Sequence, residues 1–150
     1  MGSPALIFDM DGTMVDSMPA HGRSWEAFTR RHGIDVTVDE VLRRTTGRTG
    51  VECIRELMGD MDDASAWRLV EEKEALYRGF FAEDFREVAG FTRFAALAQA
   101  RGLRWAVATA GDKTNIAFVL ERLALQQPPH AIVGGDEGLR GKPEPDLFLE

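Results

Sequence analysis

Apolar residues occur along this chain either in short unbroken runs or in stripes at helical spacing. The runs lie at residues 5–8, 104–108 (apolar after Arg104) and 131–133, and their length and composition are typical of buried parallel strands. Between the last two runs, apolar positions recur three or four residues apart, as on one face of a helix. These positions are Ile116, Val119, Leu120 and Leu123. Alternating strands and helices predict an α/β fold: a doubly wound, Rossmann-like parallel sheet with right-handed crossovers.

The segment between the first two runs is predicted to be helical throughout. A first stretch of helical character carries His21, Trp25, Phe28 and His32, which recur at i, i+4, i+7 and i+11. Thr49 and Glu52 have the spacing of a capping box and begin a short helix that ends at Gly59. Asp62 or Asp63 can cap the longer helix that follows.

We therefore predict a discontinuous α/β core of residues 1–16 and 86–150. A helical cap of residues 17–85 is inserted between its first and second strands. Open α/β sheets bind ligands outside the carboxyl ends of their strands, and the insertion begins at such an end. The cap is thus placed to cover a small substrate.

Composition and charge narrow the class of protein. Of the 150 residues, 44% are hydrophobic, which is enough for a packed core. The net charge of −7 argues against a nucleic-acid or membrane-surface partner, since both require basic patches. The single cysteine, Cys53, excludes an internal disulfide and disfavours a cysteine zinc site. With no apolar run long enough to span a bilayer and no signal peptide, the sequence predicts a cytoplasmic protein.

Chemically reactive side chains follow each predicted strand. Asp9 and Asp11 follow the first strand, Thr109 the second, and Lys142 lies in the loop after the third. Because the carboxyl ends of parallel strands share one edge of the sheet, we expect these four side chains to converge. The set suits phosphoryl transfer: one carboxylate attacks phosphorus, and the second exchanges protons with the leaving group and with water. The hydroxyl and the ammonium would bind the phosphoryl oxygens.

Two features of this chemistry depend on the surroundings of the carboxylates. A hard divalent cation with oxygen ligands, Mg²⁺, would screen the attacking carboxylate from the anionic phosphate. A nearby anion or low polarity would raise the pKa of the second carboxyl, whereas a metal ion or Lys142 would lower it. The sequence leaves both directions open.

The motifs resemble those of the haloacid dehalogenase superfamily. Residues 8–17, Phe-Asp-Met-Asp-Gly-Thr-Met-Val-Asp-Ser, resemble its first signature, Thr109 its second, and residues 141–146, Gly-Lys-Pro-Glu-Pro-Asp, its third. The insertion is similar to the cap of the branch that contains β-phosphoglucomutase, phosphoglycolate phosphatase and small sugar-phosphate phosphatases. The resemblance implies that Asp9 is the nucleophile and Asp11 the general acid and base, with Mg²⁺ held by the Asp9 side chain and the Asp11 backbone carbonyl.

A wider set of residues is predicted to bind the substrate. It consists of Gly12, Thr13, His21, Arg48, Ala110 and Gly111. His21 and Arg48 resemble cap positions that face the active site, and the Arg48 guanidinium suits a second anionic group of the substrate. The alternative is that His21 only packs and that Arg48 is solvated. We expect Arg43 and Arg44 to form a solvated face and Cys53 to be a packing residue.

These observations predict a Mg²⁺-dependent phosphatase that hydrolyses a small phosphorylated metabolite, of the sugar-phosphate or phosphoglycolate type, through an aspartyl-phosphate at Asp9. A phosphosugar mutase of the β-phosphoglucomutase kind and a non-catalytic binding module are the alternatives. In the superfamily a fourth signature, one or two acids after a fourth strand, completes the metal site, and it would lie beyond Glu150. We therefore expect a core truncated at its C-terminus, impaired alone, whose missing part comes from a longer protein or from another chain.

Overall fold

A three-stranded parallel sheet forms the centre of the computed structural model, which describes residues 4–150; the first three residues of the predicted core lie outside this range. The strands are β1 (Ala5–Phe8), β2 (Arg104–Ala108) and β3 (Ala131–Val133), in the spatial order β1-β2-β3. Their positions and parallel pairing confirm the predicted fold class. Since all three strands run in the same direction, the loops that follow them reach one edge of the sheet.

Seven helices surround and extend the sheet in the described residues. They are α1 (Met18–Arg31), α2 (Val38–Thr45), α3 (Gly50–Met58), α4 (Asp63–Glu83), α5 (Phe91–Ala100), α6 (Lys113–Leu123) and α7 (Asp146–Leu149). The predicted capping box is present, since the Glu52 carboxylate accepts from the Thr49 backbone N–H at 2.7 Å. Asp62 caps α4 by accepting from the Ser65 backbone N–H. Helix α2, with its Thr37 cap, was not predicted as a separate element.

The buried apolar side chains form two clusters. One lies against the sheet around Trp105, and the other joins α1, α2, α3 and α4 around Phe28. Helix α4 belongs to both, because Val70 packs in the second cluster whereas Tyr77 and Phe81 pack in the first. The longest helix therefore connects the helical segment 17–85 to the sheet. The exact division into core and cap stays a prediction.

None of the helices in residues 4–150 combines the length and apolarity that crossing a membrane requires.

Candidate active site

A cavity of about 230 Å³ lies at the carboxyl edge of the sheet, beneath the helical segment. The four residues predicted to carry the chemistry, Asp9, Asp11, Thr109 and Lys142, all line it. The structure thus brings together side chains from the loops after β1, β2 and β3. Four of the six predicted substrate-binding residues also line the cavity: His21, Arg48, Ala110 and Gly111.

Gly12 and Thr13, the other two predicted substrate-binding residues, are exposed and do not line this cavity. Their backbones form the turn after β1. Gly12 has a φ of 74° and its N–H donates to the Val15 carbonyl at 2.8 Å, while the Thr13 N–H donates to the Met10 carbonyl at 3.3 Å. The positive φ explains the glycine, since other residues rarely adopt it. In this structure the pair shapes the loop that carries Asp11.

Lys142 lies directly against Asp9. Its Nζ donates to Asp9 Oδ1 at 2.7 Å and to the Ala108 carbonyl, at the end of β2, at 3.2 Å. The backbone N–H of Lys142 donates to the Gly47 carbonyl of the helical segment at 2.8 Å. The ammonium therefore joins the ends of two strands and stands where it can neutralise an anion held against the Asp9 carboxylate.

Asp11 is held by groups from the helical segment. Its Oδ1 accepts from the Ser17 hydroxyl at 2.6 Å and lies 3.2 Å from His21 Nε2 and 3.3 Å from the Tyr77 hydroxyl oxygen. Burial on its own raises the pKa of the Asp11 carboxyl, but His21, Ser17 and Lys73 outweigh it and lower the pKa to about 2. Asp11 is therefore a carboxylate at neutral pH, in the form that accepts a proton. The sequence had left this direction open.

A buried charge cluster extends from His21 along α4. Lys73, with 3% of its side chain exposed, places Nζ 2.9 Å from His21 Nδ1 and 3.0 Å from Glu74 Oε1. The His21 ring stacks on Tyr77 at a centroid distance of 4.0 Å, and the Lys73 ammonium lies 4.8 Å from the centre of the Trp25 ring. His21 thus packs against Tyr77 and also lines the cavity, and its role in binding the substrate stays a prediction.

Sequence reasoning missed several polar residues around the cavity: Ser17, Lys73, Glu74, Tyr77 and Asn115. One signal was available for Lys73. It occupies the buried stripe of α4 together with Ala66, Val70, Tyr77 and Phe81. A lysine at an apolar position of an amphipathic helix indicates a buried charge, which requires a partner.

The loop after β2 is built closely against the loop after β3. Thr109 is buried, its N–H donates to the Val133 carbonyl at 3.0 Å, and its Oγ1 accepts from the Gly111 N–H at 3.1 Å. A Cβ at Gly135 would overlap the Ala110 carbonyl, so only glycine allows this approach. The two loops therefore present Thr109 and Ala110 to the cavity from a fixed backbone.

The arginines of the helical segment differ from expectation in one case. Arg48 lines the cavity, but its guanidinium pairs with Glu56 at 3.2 Å and its side chain is 45% exposed. Arg44 was expected on a solvated face. Instead it is half-buried, because it bonds both the carboxylate and the backbone carbonyl of Glu56. Arg43 is exposed and pairs with Glu40, three residues earlier on the same helix.

Cys53 also lines the cavity, and its surroundings make it a packing residue. The thiol is buried and lies 3.4 Å from the Thr45 carbonyl oxygen. Burial raises the pKa of the thiol to about 12, so the reactive thiolate is negligible at neutral pH.

The donor set for a metal ion is small. Within residues 4–150 no three histidine, cysteine or acidic side chains are grouped so that they could hold a metal ion. Asp9 and Asp11, the two residues expected to supply oxygen donors to Mg²⁺, both line the cavity. Magnesium is commonly bound by one or two carboxylates together with water and substrate phosphate. The residues therefore fit part of a magnesium site, whereas the Asp11 carboxylate is engaged by the helical segment.

Comparison with known proteins agrees with this geometry. The family model for haloacid dehalogenase-like hydrolases matches residues 4–150. Hexitol phosphatase A of Escherichia coli K12 is 31% identical over 152 residues, covering 99% of this chain and 67% of its own length. Beta-phosphoglucomutase of Bacillus subtilis 168 is 28% identical over 152 residues, covering 97% and 66%. A hydrolase from Pseudomonas syringae has a crystal structure with a TM-score of 0.81, 26% identity, and coverage of 98% and 67%.

Proposed function

Because the chain belongs to the haloacid dehalogenase-like hydrolases, with phosphatases among its relatives, we propose that it is a phosphatase of a small phosphorylated metabolite that forms an aspartyl-phosphate at Asp9. The observation that supports this most directly is the 2.7 Å contact between Lys142 and Asp9 in the cavity that Asp11 and Thr109 also line. A nucleophile, a proton-transfer group and two phosphate-binding groups are the parts that phosphoryl transfer needs.

The proposed reaction has two halves. In the first, an Asp9 oxygen attacks phosphorus, the bond from phosphorus to the substrate oxygen breaks, and protonated Asp11 gives its proton to that oxygen. In the second, Asp11 takes a proton from the water that cleaves the acyl phosphate, which releases phosphate and regenerates the Asp9 carboxylate. A pKa of about 2 for Asp11 suits the second half. The first half requires that the charge of the bound phosphate raise this pKa, as a nearby like charge does.

Lys142 and Thr109 would hold the phosphoryl group during both halves. The Lys142 ammonium is placed to neutralise a phosphoryl oxygen beside Asp9, and the Thr109 hydroxyl lies at the end of the adjacent strand. Mg²⁺ belongs to this proposal as the cofactor. When bound, it would reduce the repulsion between the Asp9 carboxylate and the phosphate, with the Asp9 side chain and the Asp11 backbone carbonyl as its protein donors.

The residues that line the cavity indicate which class of substrate it can hold. One wall is apolar and includes Trp25, Leu42, Ile54 and Val70. The lining also includes Lys73, Glu74 and Asn115, whose polar groups bond to one another at the cavity. With a volume of about 230 Å³, the cavity suits a small organic phosphate. We propose a sugar phosphate or sugar-alcohol phosphate, the class named for hexitol phosphatase A, with phosphoglycolate as a smaller candidate.

A phosphosugar mutase is the second candidate, supported by the 28% identity to Beta-phosphoglucomutase of Bacillus subtilis. A mutase and a phosphatase share the aspartyl-phosphate and differ in the acceptor. In a mutase, the phosphoryl group passes to another hydroxyl of the sugar instead of to water. The two candidates are separated by whether free phosphate or an isomeric sugar phosphate accumulates.

We also propose that the sheet is extended beside β1 by a further part of the core, from a longer protein or from another chain. β1 is an edge strand in the described sheet, and Ile7 on it is 50% exposed. The relatives above are longer, since this chain spans about two thirds of their length. A cytoplasmic location, expected from the sequence, is a separate proposal.

The test is phosphate release by the protein with its sheet completed, from a panel of hexose phosphates, hexitol phosphates and phosphoglycolate, with and without Mg²⁺. Asp9→Asn, which keeps the shape of the side chain and removes its nucleophilic charge, is the matched control. We expect turnover of at least one compound and a loss of about 10⁴-fold in the variant. Wild-type rates in Asp9→Asn would exclude the aspartyl-phosphate.

A further inference from the structure

A buried amide lies where α4 meets α6. Asn115, on α6, is 3% exposed. Its Nδ2 donates to Glu74 Oε2 at 2.7 Å, and its Oδ1 accepts from Arg78 Nη1 at 2.7 Å. Glu74 and Arg78 are one turn apart on α4 and carry opposite charges. A carboxamide has both a donor and an acceptor, so it satisfies the two partners at once, which neither a carboxylate nor an ammonium can do.

The two carboxylate oxygens of Glu74 accept from different residues, one on α6 and one on α4. Oε2 accepts from Asn115, while Oε1 accepts from the Lys73 ammonium at 3.0 Å. Lys73 is itself buried and reaches His21 Nδ1 at 2.9 Å. If Glu74 turned away from Asn115, the carboxylate that compensates the buried ammonium would move with it.

These contacts assign a direction to every hydrogen bond between Asn115 and Asp11. The Lys73 ammonium has donors only, so His21 Nδ1 must accept. The other ring nitrogen, Nε2, lies 3.2 Å from Asp11 Oδ1 and donates to it, because a carboxylate can only accept. The chain of donors and acceptors therefore begins at the Asn115 amide and ends at the carboxylate that exchanges protons in the proposed reaction.

We propose that Asn115 is a positioning residue that, through Glu74 and Lys73, fixes the His21 tautomer facing Asp11. The proposal rests on the proposed function for its effect on turnover. Asn115 is suited to this role by its place in the fold. Helix α6 packs in the apolar cluster around Trp105 through Ile116 and Val119. The Asn115 amide therefore fixes the charged side chains of α4 relative to the sheet that carries Asp9 and Asp11.

The sharpest test exchanges the amide and the carboxylate. In Asn115→Asp the side chain keeps its shape and can still accept from Arg78, but it faces the Glu74 carboxylate with no proton to donate. In the double variant Asn115→Asp with Glu74→Gln, the amide now on α4 donates to the carboxylate now on α6, and the amide oxygen accepts from Lys73. The summed charge of the two positions is unchanged, and the carboxylate that compensates Lys73 moves to α6 within the same cluster, so the swap restores the direction of the bonds without adding a group.

Two readouts are measured at pH 8, where two facing carboxylates are least able to share a proton. The first is ¹⁵N NMR of the His21 ring, which distinguishes a protonated from an unprotonated ring nitrogen and does not require turnover. The second is kcat and KM for the best phosphate ester. Thr114→Asp is the matched control, since it adds the same charge at the neighbouring, exposed position of α6.

For Asn115→Asp we expect altered protonation of the His21 ring nitrogens and a fall in kcat of about tenfold, with KM changed less than about threefold. The swapped pair should return both readouts towards wild type, and Thr114→Asp should change neither. If Asn115→Asp left both the ring signals and kcat as in wild type, the positioning role would be wrong.

Two further outcomes are also decisive. If Asn115→Asp does not fold, the swapped pair carries the test: it must fold and show the wild-type ring pattern, and a folded swap with an altered pattern overturns the proposal. If no phosphate ester is turned over by the wild-type protein with its sheet completed, the proposed function fails, while the NMR comparison still decides whether Asn115 sets the His21 tautomer.

Discussion

Lys142 Nζ lies 2.7 Å from Asp9 Oδ1 although the two residues are 133 positions apart in the chain. The parallel order β1-β2-β3 produces this contact, because Asp9 directly follows β1 and Lys142 lies in the loop after β3. The Ala108 carbonyl at the end of β2, 3.2 Å from the same Nζ, marks the shared edge. The sheet topology thus delivers a cation to the predicted nucleophile.

Lys142→Met should reduce kcat/KM for a phosphate ester by about 10²- to 10³-fold, the range observed when one group that stabilises transition-state charge is removed. The methionine keeps the length and packing of the side chain, so the midpoint of thermal unfolding should change little. Initial rates and a melting curve test the two statements together. A variant that melts like wild type and also turns over like wild type would contradict the role of Lys142.

Asp11 should contribute to stability in a defined pH window. Its pKa is lowered to about 2 in the folded protein, from an ordinary value near 3.8. A depressed carboxyl pKa stabilises the fold above the unfolded pKa, and this contribution is lost as the pH falls through the folded pKa. The contribution at neutral pH amounts to about 2 kcal/mol.

The corresponding measurement is the free energy of unfolding in urea between pH 5 and pH 2 for wild type and Asp11→Asn. The difference between the two proteins should shrink by about 2 kcal/mol as the pH falls from about 4 to about 2. Asp16→Asn, at an exposed carboxylate that pairs with Arg86, serves as the control and should follow wild type more closely. Parallel curves for wild type and Asp11→Asn would show that the network around Asp11 does not stabilise its charge.

Arg48→Ala should discriminate between substrates. Its ion pair with Glu56 is half-exposed, so removing it should cost less than about 1 kcal/mol of stability. If Arg48 binds a second anionic group, KM should rise about tenfold for a sugar bisphosphate and change little for a monophosphate. Equal effects on both substrates would argue that Arg48 acts only through Glu56.

The convergence of Asp9, Asp11, Thr109 and Lys142 could be predicted because it depends only on strand positions and parallel pairing. Each strand is a short apolar run, and a reactive side chain lies in the loop after it. The capped starts of α3 and α4 were likewise local: a side chain and a backbone N–H within the same turn determine them.

The Asn115 contacts could not be predicted in the same way. Asn115 and Glu74 are 41 positions apart, and Lys73 and His21 are 52 apart, so no spacing in the sequence relates them. They meet because α4 is long enough to pack in both apolar clusters. Helix α2 escaped prediction for a different reason. It has eight residues with two buried side chains, which is too short for an apolar period to be recognised.

Gly50→Ala should destabilise the helical segment. A Cβ at Gly50, the first residue of α3, would lie 2.7 Å from Val70 Cγ1 and 3.1 Å from Val70 Cγ2 on α4, which is closer than carbon atoms approach. Val70 is itself buried in the cluster around Phe28, so it has little room to move. We expect a loss of about 1–3 kcal/mol in the free energy of unfolding, as for other overpacked sites.

A double-mutant cycle with Val70→Ala isolates this contact. Val70→Ala alone should destabilise by about 1–3 kcal/mol through the cavity it leaves, and combining it with Gly50→Ala should cost less than the sum, because the new methyl group then enters vacated space. Urea unfolding of the four proteins measures the coupling. Strict additivity would mean that α3 and α4 shift apart to accept the methyl group. Since Gly50 and Val70 also line the cavity, phosphatase KM measured on the same four proteins would report whether that shift reaches the substrate.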